Sequence, residues 1–328
     1  MSLLLIGVGA GALFALVTWV GPFLVRTAAP VLMRTPRFAV LGLLAVPIMW
    51  WAVVAALSLL AASLLKGPDV LPVPLADVCQ QCLIAASPFP DLAQVDTLVP
   101  VILFLLFPLA LSLFSAGWGL YQRAQRRRAN STAAARLRRD SAVADIDGRS
   151  LTVIDQQTPF AFSLPQKYGG IVVSQALCSA LDENELTAVL EHERAHVEGG
   201  HHRVMAIVDT FVRPLSFIPL FAEVAASIPH YLEIAADDRA RKTAGTPALA
   251  SALLKIGQTS SVTDRLSGPY ALNIAGPDRI RQLVSPASMT SGVLPVVALA
   301  SVLAAFVTVF SSVFYSYATV LVTGCVMP

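Results

Sequence analysis

The sequence predicts a multi-pass α-helical membrane protein interrupted by a small α+β domain. Three observations carry that reading. The 328-residue chain is 55% hydrophobic and only 13% charged, against about 25% charged in soluble domains, and its mean hydropathy is +0.68. Its charges are segregated: Met1–Val25, Phe38–Leu65, Leu98–Tyr121 and Met289–Val326 contain no Lys, Arg, Asp or Glu. Between the third and fourth of these stretches lies a polar segment with both strand and helix signals.

Each uncharged stretch is long enough to cross a hydrocarbon core, which needs about 20 apolar residues. Four spans are therefore expected. The first has no positive segment before it and no clearly set-off small-x-small cleavage site, so it reads as a retained span rather than a signal peptide. The chain divides into residues 1–122 with three transmembrane helices and an external loop at 67–97, a basic juxtamembrane segment at 123–139, a domain at 140–288, and a fourth transmembrane helix at 289–328.

Loop charge gives the orientation. Arg26, Arg34 and Arg37 follow the first span with no acid among them. Arg123, Arg126, Arg127, Arg128, Arg136, Arg138 and Arg139 follow the third. The loop from Gly67 to Thr97 carries Asp69, Asp77, Asp91 and Asp96 and no base. Basic loops stay in the cytoplasm. The expectation is a cell-membrane protein with both termini outside and the 140–288 domain in the cytoplasm. An Arg run directly after a span reads as a topology signal and a lipid-headgroup contact, so the bilayer is a partner and direct nucleic-acid binding is not expected. Cys79 and Cys82 fall in the acidic loop, where either a small disulfide or two free thiols would fit. Cys325 would lie near the outer face and Cys178 inside the domain.

The domain begins with strands. Ala142–Ile154 reads as two short strands around an Asp147-Gly148 turn, and Phe160–Leu164 and Gly170–Ser174 are two more. Gly169–Ser174 is the expected edge for a substrate backbone added as an extra strand. A helix follows, since Asp182 and Glu185 have the spacing of a capping box and Leu186, Val189, Leu190 and Val197 recur at helical period. Gly199-Gly200 offers its stop. Met205–Pro229 is apolar but contains Asp209, Arg213, Glu223, Pro214 and Pro219. It reads as a helical hairpin packed in the core or dipping into the membrane interface, because a full crossing there would separate the residues on either side of it. Pro247–Ile256 is a further helix.

The capped helix carries His192-Glu193-Arg194-Ala195-His196. His192 and His196 are four apart, so both imidazoles leave one helix face toward one point. That suits two nitrogen ligands of a tetrahedral zinc ion. Glu193 is placed to take a proton from a water that the zinc polarises, which points to hydrolysis of a peptide bond. A catalytic zinc needs a third protein ligand. Glu233 and Asp237 lie four apart on a downstream helix, so Glu233 can complete the set and Asp237 can orient a liganding imidazole. An acidic, solvated helix would look the same in sequence. His201 lies beyond the Gly-Gly break, where helix geometry does not carry it to the metal. An oxyanion would need a donor; Arg239, Arg279, Tyr231 and His230 are candidates.

His192–His196 followed by Glu233-x-x-Ala236-Asp237 resembles the integral-membrane gluzincin metallopeptidases. One branch is the BlaR/MecR-type beta-lactam sensor-transducers; more distant is the HtpX and CAAX-prenyl-protease type. Pro159–Phe162, Ile171–Leu177 and the basic Asp278–Leu283 also resemble that family, so the likeness runs from roughly Asp140 to Leu283. It implies an inserted α+β zincin-like metalloprotease domain with one Zn2+ per chain. It also implies a protein or peptide substrate, a cytoplasmic transcriptional repressor as target and a homo-oligomer as an option. The sequence has no penicillin-binding sensor after its last span and no S-x-x-K outside, so direct beta-lactam sensing is not expected. Two other readings remain open: HtpX-like quality-control proteolysis, and a non-catalytic membrane scaffold with a degenerate motif.

Overall fold

The computed structural model describes residues 2–68, 70, 72, 81–84, 87, 94–139, 141–146, 149–164, 170–259 and 293–323. Nine helices are numbered along it: α1 (Ser2–Leu32), α2 (Pro36–Leu64), α3 (Val101–Arg139), α4 (Gln175–Ala180), α5 (Glu183–Glu198), α6 (His201–Ile207), α7 (Pro219–Ala244), α8 (Thr246–Thr259) and α9 (Val293–Thr323). Within them, Gly11–Leu32, Pro36–Leu64 and Val101–Gln125 are long and apolar enough to cross a membrane. The fourth expected span falls on α9, whose Leu294–Thr308 portion is a shorter apolar helix. The basic juxtamembrane segment after the third span continues α3 without a break to Arg139.

Polar side chains tie the apolar helices together. Trp50 Nε1 donates to Thr18 Oγ1 at 3.2 Å, joining α2 to α1. The Tyr317 hydroxyl donates to Leu59 O at 3.0 Å, joining α9 to α2. The loop after α2 is pinched at its base, where β1 (Leu65–Lys66) pairs in parallel with β2 (Val95–Asp96). Cys82 in that loop is disulfide-bonded; Cys79 and Cys325 lie outside the described residues. Cys178 is a free thiol packed at the edge of the domain core.

The domain opens with a four-stranded sheet in the order β3-β4-β6-β5. β3 (Ser141–Ile146) and β4 (Arg149–Ile154) form the expected antiparallel hairpin, with the Asp147-Gly148 turn outside the described residues. β6 (Ile171–Ser174) runs parallel to β4 and antiparallel to β5 (Ala161–Ser163). This corrects the expectation for Gly169–Ser174. That strand is flanked on both sides, so its backbone groups are already paired, and β5 is the terminal strand on this side. Leu151, Ala161, Val173 and Leu177 pack under Val189, Leu190, Ala252 and Ile256 to make the core between sheet and helices.

The apolar segment after α6 is a hairpin wedged among the long helices. It descends through a π-helical turn (Val208–Val212) and a 3-10 turn (Arg213–Leu215), then returns as α7. Val208, Val212, Leu215, Phe221, Val224, Ile228 and Tyr231 share one core with Val25 of α1 and Ala39, Val40 and Leu43 of α2. Lipid is as apolar as another helix, so close backbone approach rather than water exclusion stabilises such contacts. Two glycines permit it. A Cβ on Gly21 of α1 would lie 2.7 Å from Leu220 Cδ1, and one on Gly119 of α3 would lie 1.8 Å from the Thr210 carbonyl oxygen. Both glycines are inside candidate spans, so the hairpin tip sits beside the basic ends of those spans. Its charges are paired: Arg213 Nε is 3.1 Å from Asp209 Oδ1, and Arg26 of α1 contacts Glu223 of α7 at 2.7 Å.

Candidate metal centre

The centre is built on α5, and α5 is locked at its start. Asp182 accepts from the Glu185 N–H at 2.9 Å, and the Glu185 carboxylate accepts from the Asp182 N–H at 2.9 Å, a full capping box. Glu185 also accepts from Ser251 Oγ and from Lys255 Nζ of α8, each at 2.6 Å. Burial alone would raise its pKa, but Lys255, Ser251 and the Asp182 N–H together hold it down at about 2. Glu185 thus fixes α5 against α8 about two turns before the first histidine.

α5 packs along α7, and their facing side chains meet. His192 Nε2 and His196 Nε2 are 3.2 Å apart. Glu233 Oε2 is 3.5 Å from His192 Nε2, and Glu233 Oε1 is 3.5 Å from His196 Nε2. These three residues form a group able to hold a metal ion. The spacing tests that directly. Ligands at about 2.0–2.1 Å from a tetrahedral zinc stand about 3.3 Å from one another, which is the spacing here. His192 is buried and Glu233 half-buried, so the group has a dry back and an open side. Glu193 is buried on α5 beside His192.

The outer nitrogens are held as well. His192 Nδ1 lies 2.9 Å from Asp237 Oδ1, one turn beyond Glu233 on α7. This short contact ties the His192 ring to α7 on the side away from Glu233. Burial opposes a charge on His192, but Asp237 and Glu233 outweigh it and raise its pKa to about 10. The pocket therefore favours positive charge at this point, and a divalent ion competes there with a proton.

His196 has a partner that sequence reasoning passed over. His201 Nδ1 is 2.8 Å from His196 Nδ1, with the rings at 89° and their centroids 4.7 Å apart. His201 does not join the ligand group, as the Gly-Gly break implies; it is folded back behind it. Gly200 adopts φ +63, the left-handed region open to glycine, and turns the chain. Gly199 leaves the space that the His201 ring fills, since a Cβ there would lie 2.7 Å from His201 Nε2. Burial lowers the His201 pKa to about 4. The legible signal was the Gly199-Gly200-His201 run, read only as a helix stop.

Three of the four oxyanion candidates lie among the described residues. Arg239 donates to Glu198 Oε2 at 2.5 Å, tying α7 to the end of α5, where Arg194 also donates to Glu198. Tyr231 is buried in the hairpin core, and burial, with the Glu223 charge, pushes its hydroxyl up to about 12. His230 rests against the Tyr231 ring, with centroids 5.8 Å apart. Arg279 lies outside the described residues.

Residues 124–231 match the sequence model of Peptidase family M48. No curated protein and no solved structure matches the chain. The family match covers the end of α3, the sheet, α5 and the hairpin, and it ends two residues before Glu233. It supports a membrane-associated metallopeptidase acting on a peptide or protein. Glu233 and Asp237 lie beyond the matched residues, and their place beside the histidines rests on the geometry above.

Proposed function

We propose that this membrane-associated metallopeptidase is a zinc endopeptidase of the gluzincin type, set at the cytoplasmic face of the membrane. The observation that carries this reading is the triangle of His192, His196 and Glu233, whose ligand atoms stand 3.2–3.5 Å apart. A zinc ion held there supplies a Lewis acid that makes water a nucleophile at neutral pH. Glu193 takes the proton as the water oxygen attacks the peptide carbonyl, and it passes that proton to the amine nitrogen as the C–N bond breaks. Asp237 orients His192. The β5 edge receives the substrate backbone as an added strand.

The target in this reading is a cytoplasmic or membrane-proximal protein: loop charge favours the cytoplasmic side, and the hairpin between the two halves of the site packs among the apolar helices. In the regulatory form of this reading the target is a single cytoplasmic repressor. In the quality-control form the targets are many. One experiment tests both levels: comparison of newly formed protein N-termini in cells with wild type and Glu193→Gln. The variant keeps its zinc, and hydrolysis falls by roughly 100- to 10,000-fold. Identical N-termini in the two strains would remove the protease reading; one lost cleavage site supports the regulatory form, and a broad set supports quality control.

A further inference from the structure

We propose that His201 is a positioning residue for His196: a neutral imidazole that accepts a hydrogen bond from His196 Nδ1–H and so fixes the tautomer that presents Nε2 to the metal. This rests on the reading of His192, His196 and Glu233 as a metal centre. His196 Nε2 is 3.2 Å from His192 Nε2 and 3.5 Å from Glu233 Oε1, so Nε2 is the ligand atom. A neutral imidazole carries one proton, and ligation through Nε2 leaves it on Nδ1. The His196 Nδ1 can then only donate. His201 Nδ1, 2.8 Å away, must accept with its lone pair and keep its own proton on Nε2.

The local backbone is shaped for this contact. Gly200 at φ +63 reverses the chain within two residues of His196's own helix end. Gly199 has no side chain where the His201 ring lies. The two Nδ1 atoms stand at hydrogen-bond distance, 2.8 Å, with the ring planes at 89°. The two liganding histidines are therefore held differently: His192 faces the carboxylate of Asp237, and His196 faces an uncharged ring. An ordinary core histidine would need only volume at this point, whereas a positioning histidine needs an acceptor atom.

That difference is testable without measuring hydrolysis. Zinc dissociation constants of the full-length protein in detergent are measured by competition with a chromogenic chelator, for wild type, His201→Phe, His201→Asn and His192→Ala. Phe keeps the ring and loses the acceptor; Asn loses the ring but carries an oxygen near the Nδ1 position. The expected result is zinc weakened roughly 10- to 100-fold in His201→Phe and close to wild type in His201→Asn. Wild-type affinity in the Phe variant, or equal loss in both, overturns the proposal. Should His201→Phe fail to fold by thermal unfolding, His201→Ala takes its place and must show the same loss. A wild type whose zinc binding matches His192→Ala would instead overturn the metal centre itself, an outcome distinct from failure at His201.

Discussion

Glu185→Gln is expected to destabilise the domain at neutral pH and to matter progressively less in acid. The Glu185 carboxylate accepts one backbone N–H, one hydroxyl and one ammonium. Glutamine keeps the shape but must aim an NH2 at one of these donors. The folded pKa of about 2 against an ordinary 4.5 corresponds to ~3 kcal/mol favouring the ionised form. Lys255 is half in water, with 46% of its side chain exposed, and screening reduces this to about 1–2 kcal/mol. The sign follows from a depressed carboxylate. Its contribution is complete above pH 4.5 and disappears as pH falls toward 2. The gap between wild type and variant should accordingly shrink to less than half between pH 7 and pH 3, and other titrating groups cancel in that difference. Thermal unfolding can be followed by circular dichroism on both proteins in detergent. A gap of the same size at both pH values, or none at pH 7, would refute the reasoning.

Two further outcomes test the centre and its seat in the membrane. Asp237→Ala should weaken zinc binding by roughly 10- to 100-fold and leave α5 folded, measured by equilibrium dialysis beside circular dichroism; undiminished affinity would leave His192 without need of its carboxylate. Gly119→Ala places a methyl 1.8 Å from the Thr210 carbonyl oxygen, so α3 and the hairpin must separate, at a cost of about 1–3 kcal/mol. The melting temperature in detergent should fall, and Gly117→Ala, with open space around it, serves as the neutral comparison. Equal behaviour of the two would mean that the close α3–hairpin contact does not form.

Local features were legible in the chain because each is set by neighbours in sequence. The absence of charge over Phe38–Leu65 and Leu98–Tyr121 marks apolar helices, and helix geometry alone puts His192 and His196 on one face. The capping box needs only Asp182 and Glu185, and the hairpin in Ala142–Ile154 needs only strand formers on either side of an Asp-Gly pair. What pairs with what across the fold was less accessible. β6 looked like a free edge because strand order depends on where β5 and β4 return, which no single segment records. The Met205–Pro229 stretch was ambiguous because its depth depends on Gly21 and Gly119, residues of other helices.

By itself, then, the amino-acid order determined the apolar helices, the spacing of two imidazoles on one face and the acidic pair that can join them. Only the folded chain decided that Glu233 reaches both histidines at 3.5 Å, that Arg239 is turned to Glu198 and that His201 comes back behind His196. The physical reason is that periodicity along a helix sets direction but not distance to another element. A left-handed glycine, a methyl-sized gap and a hairpin held between spans act through space, and their consequences appear only when the chain has packed.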